Sequence, residues 1–344
     1  LVCSFPVVPL FETIDDLQQA PEILDAFLAH PITRRSLAAQ QSRTLAVIMF
    51  GMDYYGPAQM MINIERAAKA AGYDLIFSNV SQSTVPEMRD ALDSLEGWLV
   101  DGILAITPVL GVTFEEMQAL SAHIPLVQID IQADAETPSV IVDQQLGAAL
   151  VTQHLIDLGH RHIAEISGPL HWHGAIARHR SWEQTIYQAG LRPGPTLEGD
   201  WTSRSGYELA GQILDRDPAI TGLVVGNDQM ALGAMRALRE HGLRIPEDIS
   251  ITGFDDIPES AFFDPPLTTV HQDTVAAGTA ATQTLLHHIN GEPPEPTRLS
   301  LPPPILLLGL SCGGPPSPAA IRRSPHSTSR ASACEPRARS TSFF

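Results

Sequence analysis

Thr44-Leu-Ala-Val-Ile-Met-Phe50 and the stretch that follows it decide the fold. Seven consecutive, mostly apolar residues are typical of a strand that is buried on both faces. A turn at 51–56 follows, and Pro57 suits the first turn of a helix. Gly72 then ends a run of apolar residues at helical spacing. The stretch therefore predicts a βα unit. The residues of the helical run are Met60, Met61, Ile64, Ala67, Ala68 and Ala71.

The same alternation continues along the chain in two series. The first series predicts strands at 74–79, 101–107 and 125–130, with helices around 86–95 and 114–122. The second series starts with a helix after Asp143 and predicts strands at 161–168, 222–227 and 249–255, again separated by helices. Alternating strands and helices build parallel sheets that are covered by helices on both faces. We therefore expect an α/β protein with two Rossmann-like lobes.

Composition excludes several classes of protein. The chain has 344 residues and a formal net charge of −18, so any contact with nucleic acid must be local. The longest apolar runs are far shorter than the roughly 20 residues that span a bilayer, and we expect no contact with a membrane. The apolar stretch 1–10 lacks the basic flank of a secretory signal, which favours a cytoplasmic location.

Polar side chains end three of the predicted strands. Asp130, Asn227 and Asp255 occupy these positions, where open parallel sheets bind ligands, and Arg178 and Trp201 are expected in loops nearby. Carboxylate, amide and guanidinium groups bind sugar hydroxyls, and an indole ring covers the C–H face of a sugar. Two alternatives remain open: Asn227 as a helix N-cap, and Asp255 as a residue that forms a turn before Pro258.

Other clusters give no enzymatic prediction. His160-Arg-His162 and His171-Trp-His173 lack the third ligand of a zinc site, so we expect no metal. Three cysteines, Cys3, Cys312 and Cys334, have neither disulfide nor zinc spacing. No nucleophile elbow, P-loop or dinucleotide motif is present, and we expect neither a cofactor nor catalysis.

A series of motifs resembles the LacI/GalR family of transcriptional regulators. The likeness covers roughly residues 42–301, and the motifs occur in the family's order, which is more specific than any one of them. They are Val142-Asp143, Leu158-Gly-His-Arg161, Gly168-Pro-Leu170, Ala177-Arg178, Glu198-Gly-Asp-Trp201, Asn227-Asp-Gln-Met-Ala-Leu-Gly-Ala-Met-Arg236, Gly253-Phe-Asp-Asp256 and Pro265-Pro-Leu-Thr-Thr-Val-His-Gln-Asp273.

The resemblance implies a periplasmic-binding-protein-like fold with a sugar held between the lobes. It implies lobes at about 43–142 plus 273–301 and at 143–272. Thr274 stands where an aromatic residue is expected, and Tyr54 is larger than the family's aliphatic residue, so galactoside specificity is not implied. The implied ligand residues are Asp130, Arg178, Asn227 and Asp255 as hydrogen-bonding groups, Trp201 as a packing surface, Gln272 as a further polar group, and Tyr54 and Pro57 from the first lobe.

Both ends of the chain depart from the family pattern. Residues 31–42 resemble the family's hinge helix, with Leu37 in the position that enters the minor groove and Arg34 and Arg35 available for phosphates; the alternative is two ordinary exposed arginines. Residues 1–30 do not resemble a helix-turn-helix, and we expect a disordered tail at 302–344. We hypothesise that the reading frame is disrupted at both ends and that this chain binds operator DNA weakly.

The sequence thus predicts a sugar-responsive transcriptional repressor. We expect a homodimer in which the effector changes the angle between the lobes and thereby the DNA-binding state. The alternative is an extracytoplasmic sugar-binding protein of a transport system, which shares the fold.

Overall fold

The computed structural model describes residues 42–81, 84–95, 100–106, 124–129, 138–292 and 298–316, together with positions 113, 116, 117, 119 and 121. The predicted positions 34, 35, 37 and 130 lie outside the described residues. Within the described part, the chain forms two parallel sheets that are each covered by helices on both faces. The predicted α/β class with two lobes is confirmed.

The described helices and strands follow one another in the predicted order. They are β1 (Thr44–Phe50), α1 (Tyr55–Ala70), β2 (Asp74–Val80), α2 (Val85–Leu95), β3 (Gly102–Ile106), β4 (Leu126–Ile129), β5 (Ser139–Ile141), α3 (Gln144–Asp157), β6 (Ile163–Ser167), α4 (His173–Gln188), β7 (Thr196–Glu198), α5 (Ser203–Arg216), β8 (Gly222–Val225), α6 (Asp228–Glu240), β9 (Ser250–Thr252), a 3₁₀ turn (Ser260–Phe262), β10 (Thr269–His271), α7 (Thr274–Ile289), β11 (Arg298–Ser300) and β12 (Ile305–Leu307).

Lobe 1 is built on a six-stranded parallel sheet in the order β11-β5-β4-β3-β1-β2. The central strand β1 is buried on both faces, as its sequence predicts, with Val47 between Phe77 and Leu104. One apolar core lies between this sheet and helices α1 and α7, and a second core lies between the sheet and α2. Burial of both faces explains why the strand sequences are nearly continuous apolar runs.

Lobe 2 is built on a four-stranded parallel sheet in the order β7-β6-β8-β9. Strand β10 continues this sheet beyond β9 through the bridges Thr252 to Thr268 and Asp255 to His271. One core lies towards α5 and α6, and the other lies towards α3 and α4. Among the described helices, none is both long and apolar enough to cross a membrane.

The chain passes between the lobes near 142–143, 272–273 and 301–304. The first two crossings each lead into a helix capped by an aspartate: Asp143 accepts a hydrogen bond from the backbone N–H of Leu146, and Asp273 accepts one from that of Ala276. At the third crossing, the Leu301 N–H still donates to the Ile141 carbonyl of lobe 1. Three adjacent crossings form a hinge about which the lobes can rotate.

The expectation of a disordered tail from 302 is wrong for its first part. Residues 305–316 pack on lobe 2: β12 pairs antiparallel with β10, with Leu306 opposite Val270. The buried Ser311 hydroxyl donates to the Ile251 carbonyl at 2.7 Å and accepts from the Thr268 N–H at 2.8 Å. The prolines at 302–304 precede an edge strand, where proline is tolerated, and do not end the fold. Residues 317–344 lie outside the described part.

Candidate functional site

A cleft lies between the lobes, beyond the carboxyl ends of strands from both sheets. Its volume, including the open mouth, is about 660 Å³. Seven of the eight side chains predicted to bind a ligand line it, and the eighth, Asp130, lies outside the described residues. The lining residues are Tyr54, Tyr55, Gly56, Pro57, Met60, Ile106, Trp172, Gly174, Arg178, Trp201, Asn227, Asp255, Gln272 and Thr274.

Four polar side chains at the cleft form a closed ring of hydrogen bonds. Gln272 donates from Nε2 to Asp255 Oδ1 at 2.6 Å and accepts at Oε1 from Gln144 Nε2 at 2.9 Å. Gln144 Oε1 accepts from Arg178 Nε at 2.8 Å, and Arg178 Nη2 lies 3.4 Å from Asp255 Oδ1. Each member orients the next, so the ring holds a fixed polar surface. Gln144 was missed from the sequence because the first residue of a helix gives no sign of its tertiary partners.

Arg178 was expected in a loop, but it lies in the second turn of α4. Its guanidinium lies over the Phe254 ring, 3.6 Å from the ring centroid, and over Trp201 at 5.6 Å. Nη1 donates to the Gly226 carbonyl. The cation is thus bound within the protein on its polar edge and on its face.

Asp255 and Asp256 occupy a turn in which both residues have positive φ, +107° and +54°. Asp255 turns into the cleft, whereas Asp256 lies 2.9 Å from His271 Nδ1, so the two carboxylates have different partners. Burial raises the pKa of the Asp255 carboxyl, and the charge of Arg178 and the Gln272 hydrogen bond oppose that rise. Asp255 Oδ2 accepts no hydrogen bond from the described residues. Asp255 therefore both forms the turn and lines the cleft.

Asn227 combines the two roles that the sequence left open. Its Oδ1 accepts from the Met230 N–H at 2.9 Å and so caps α6. Its Nδ2 donates to the Trp201 carbonyl at 3.1 Å, which ties the loop that carries Trp201 to the helix N-terminus. The N-cap interpretation is confirmed, and Asn227 also lines the cleft.

The Trp201 ring lies directly on Gly168, where a Cβ would overlap the indole. Trp201 has φ +71°, an uncommon value for a residue with a side chain, and it is buried. Its indole N–H has no hydrogen-bond partner among the described residues. Glycine at 168 is therefore what allows an aromatic surface at the end of β6.

The sequence did not predict Trp172 as a cleft residue, because its histidine neighbours directed attention only to a possible metal site. It meets Trp201 edge-on at 5.8 Å within lobe 2. From lobe 1, Phe50 and Tyr54 meet it at 5.5 and 5.1 Å between ring centroids. These four residues are here called the aromatic cluster. It joins the two lobes across the cleft.

Lobe 1 also presents the start of α1. Tyr54, Tyr55 and Pro57 line the cleft, and the helix has no side-chain N-cap. Burial raises the pKa of Tyr55, and the nearby carboxylates, Asp255 first among them, raise it further. Thr274 lines the cleft from α7.

Asp228 is a buried acid behind the cleft. Its Oδ1 accepts from Thr269 Oγ1 at 2.6 Å and its Oδ2 from the Ile257 N–H at 2.9 Å. Burial raises its pKa to about 8, Asp255 adds to the rise, and the two hydrogen bonds oppose it. Asp228 thus fixes the turn that carries Asp255 against α6.

One histidine of each pair, His160 and His173, is at least partly buried in the protein. His160 is fully buried, with Thr221 at one ring nitrogen and Ser250 and the Gly313 carbonyl at the other. Burial lowers the pKa of His173. No group of three potential metal ligands occurs within the described part of the chain.

Comparison with known proteins places this architecture. A family model described as a periplasmic binding protein-like domain matches residues 152–312, which include the part of the C-terminal segment from 305 to 312. A second family model, described as phosphoenolpyruvate carboxylase, matches residues 2–55; the described part of this match, 42–55, contains β1, the turn that follows it and the first residue of α1.

Curated relatives and solved structures agree with the first model. The lactose operon repressor of Escherichia coli (strain K12) is 32% identical over 258 residues, 75% of this chain and 72% of the relative. The HTH-type transcriptional repressor PurR of Pasteurella multocida (strain Pm70) is 33% identical over 79% of this chain and 82% of its own length.

A dimeric lac repressor with a C-terminal deletion superimposes with a TM-score of 0.73 and 31% identity, covering 79% of this chain and all of its own. The regulator CelR in complex with cellobiose gives 0.70 and 25%, covering 85% of this chain and 94% of its own.

The fold and cleft define a two-lobed ligand-binding protein of the periplasmic-binding-protein-like class. The chain belongs to the LacI family of transcriptional regulators.

Proposed function

We propose that this chain is the effector-binding part of a transcriptional repressor, and that the effector is a carbohydrate bound in the cleft. The observation that carries the proposal is the convergence of the Asp255–Arg178–Gln272 hydrogen bonds and the Trp201 ring on one cavity. A carboxylate oxygen beside an indole face suits a sugar, which has hydroxyl donors at its edge and C–H groups on its faces.

The predicted ligand residues take distinct roles in this proposal. Asp255 accepts hydrogen bonds from sugar hydroxyls through Oδ2, and Arg178, Asn227 and Gln272 complete the polar edge. Trp201 covers one face of the ring, and Tyr54 and Pro57 approach from lobe 1. Asp130 is proposed as a further hydrogen-bonding group from the resemblance alone. The protein binds its ligand and catalyses no reaction.

The regulatory part of the proposal rests on the relatives. The lactose operon repressor and PurR are transcriptional repressors, and lac repressor has been solved as a dimer bound to operator and an anti-inducer. By likeness, we infer a cytoplasmic homodimer whose hinge residues Arg34, Arg35 and Leu37 contact operator DNA, with the weak affinity that the sequence of this chain predicts. Effector binding then shifts the angle between the lobes and so the DNA-competent population.

Calorimetric titration with a panel of sugars tests ligand binding. We expect Asp255→Asn to weaken binding of the best sugar about 100-fold or more, because the change removes the charged acceptor and its pairing with Arg178. Asp256→Asn is the matched control, since Asp256 pairs with His271 outside the cleft. Equal affinities for the wild type and Asp255→Asn contradict the proposal.

Transcription in cells tests the regulatory part. Deleting the gene is expected to relieve repression of neighbouring genes, and the sugar found by calorimetry is expected to change their transcription only while the gene is present. Unchanged transcription in both comparisons overturns the regulatory role while leaving sugar binding intact.

A further inference from the structure

The charge of the cleft distinguishes between kinds of carbohydrate. Arg178 is the one lysine or arginine among the described residues that line it. Its guanidinium already bonds Gln144 and the Gly226 carbonyl, lies 3.4 Å from Asp255, and covers Phe254. An anionic ligand would therefore find no uncommitted cation in the described lining. Burying an anion without a partner is costly.

The surroundings of the cleft are acidic. On the lobe 1 side, burial raises the pKa of the Tyr55 hydroxyl, and the charges of four carboxylates raise it further: Asp255, Asp256, Asp228 and Glu259. Asp228 holds its proton near neutral pH because burial raises its pKa to about 8, and Asp256 is paired with His271. Asp255 remains as the acid that lines the cleft, and the exposed Glu259 adds a negative charge close enough to act on Tyr55. This arrangement repels phosphate and carboxylate groups.

Two stretches of sequence that follow strands of lobe 1 also lack cationic residues. Residues 107–112, which follow β3, and 130–137, which follow β4, contain Asp130, Asp134 and Glu136 but no lysine, arginine or histidine. The chain as a whole carries a formal charge of −18.

The positive ends of two helices are the opposing contribution. Helices α1 and α4 begin at the cleft without a side-chain cap, after Tyr54 and Trp172. Such termini attract negative groups by about 0.3–1 kcal/mol each in exposed positions. That suits the partial charge of a hydroxyl oxygen and is small beside the cost of an unpaired phosphate dianion.

We propose that the cleft selects an uncharged carbohydrate and excludes sugar phosphates and sugar acids. Asp255 Oδ2 accepts from ligand hydroxyls, the aromatic cluster covers the apolar face, and the helix N-termini donate to hydroxyl oxygens. This selection rests on the proposed function, because it names the class of carbohydrate for the same site.

Calorimetry with matched probes tests the selection. The panel contains glucose, galactose, lactose, maltose and cellobiose, with the 6-phosphates and uronic acids of glucose and galactose. We expect a neutral sugar to bind and every anionic probe to bind at least about 100-fold more weakly. A 6-phosphate or uronic acid that binds as tightly as the best neutral sugar overturns the selection while supporting carbohydrate binding. Binding of neither class overturns the proposed function itself.

A variant that adds a cation tests the electrostatic cause. Thr274→Arg places a free guanidinium in the lining, and Thr274→Gln is its uncharged control. We expect Thr274→Arg to reduce the difference in affinity between the neutral sugar and the anionic probes at least about tenfold. Thr274→Gln is expected to leave that difference unchanged. Gly174→Arg against Gly174→Gln repeats the test from α4, where a Cβ has room, in case the first pair does not fold. The charge argument is overturned if a folded arginine variant binds the neutral sugar and still shows the wild-type difference in affinity between neutral and anionic probes.

Discussion

Lobe 2 and lobe 1 contribute unlike surfaces to the same cleft. Lobe 2 provides the charged and amide side chains Arg178, Asn227 and Asp255, all held by hydrogen bonds within the protein, beside the rings of Trp172 and Trp201. The described part of lobe 1 provides Tyr54, Tyr55, Gly56, Pro57, Met60, Ile106 and Thr274, most of them apolar or aromatic. Lobe 2 is thus the side on which orientation is fixed, and lobe 1 is the side that closes over the ligand.

The backbone shows the same contrast. Positive φ values occur in lobe 2 at Trp201 and Asp255, which line the cleft, and at Asp256 next to them; such conformations cost about 1–3 kcal/mol each. Strain of this kind persists only where the surrounding structure holds it, here through Asn227 and Asp228. A ligand that meets a fixed polar surface on one lobe and an apolar surface on the other favours closure, because closure adds contacts without reorganising the polar groups.

Among the variants that compare the two lobes, Gly168→Ala is expected to have the largest effect on ligand affinity. The added methyl overlaps the Trp201 ring and pushes it out of its position towards the space that the ligand would occupy. We expect about 100-fold weaker binding by calorimetry, with a smaller loss of stability because the ring can move towards the cleft.

Gly56→Ala is the matched control in lobe 1. Gly56 also lines the cleft, but a Cβ there meets no atom within 4 Å. If lobe 2 fixes orientation, Gly56→Ala keeps wild-type affinity within about threefold. Equal losses for the two variants contradict the proposed division between the lobes.

Trp172→Ala tests closure itself. The change removes the ring through which Phe50 and Tyr54 meet lobe 2, and each aromatic pair contributes about 0.5–1.5 kcal/mol. We expect about 10- to 30-fold weaker sugar binding, mainly through faster dissociation measured by stopped flow. Trp172→Phe retains a ring and is expected to recover most of the affinity. A dissociation rate unchanged in Trp172→Ala shows that the aromatic cluster does not hold the lobes together.

Gln144→Leu has a smaller expected effect, because it acts through other residues. The substitution leaves Arg178 Nε and Gln272 Oε1 without the Gln144 hydrogen bonds, at a cost of about 1–3 kcal/mol. We expect up to about tenfold weaker binding by calorimetry. Gln145→Leu changes the exposed neighbour on α3 and serves as the control. Equal affinities for the two variants show that the hydrogen-bonded ring does not orient Arg178.

The sequence predicted the parts of the site that depend on strand ends. Asn227 and Asp255 come within three residues of the ends of buried strands, and this position brings them to the cleft. Gln144 and Trp172 depend instead on how α3 and the β6–α4 loop approach other elements, which no local pattern records. The C-terminal segment was missed for a related reason: Ser311 gains its hydrogen bonds from β9 and from the residue before β10, far away in sequence.

Asp228→Asn is expected to leave ligand affinity unchanged and to alter stability alone. Since the folded-state pKa is raised from 3.8 to about 8, the folded protein holds this proton where the unfolded chain has lost it. The resulting stabilisation is complete below about pH 4 and is lost as pH rises towards 8. Asparagine keeps both contacts, accepting from the Ile257 N–H and donating to the Thr269 hydroxyl, without a proton to lose.

Urea unfolding at pH 5, 7 and 8.5 measures this effect. The free energy of unfolding should decline less with pH for Asp228→Asn than for the wild type, with a difference of at least about 1 kcal/mol at the highest pH. Asp215→Asn, an exposed change on α5, is the control. Parallel pH profiles for Asp228→Asn and the wild type would show that Asp228 is ionised in the folded protein, so that lobe 2 holds its strained turn against a buried charge.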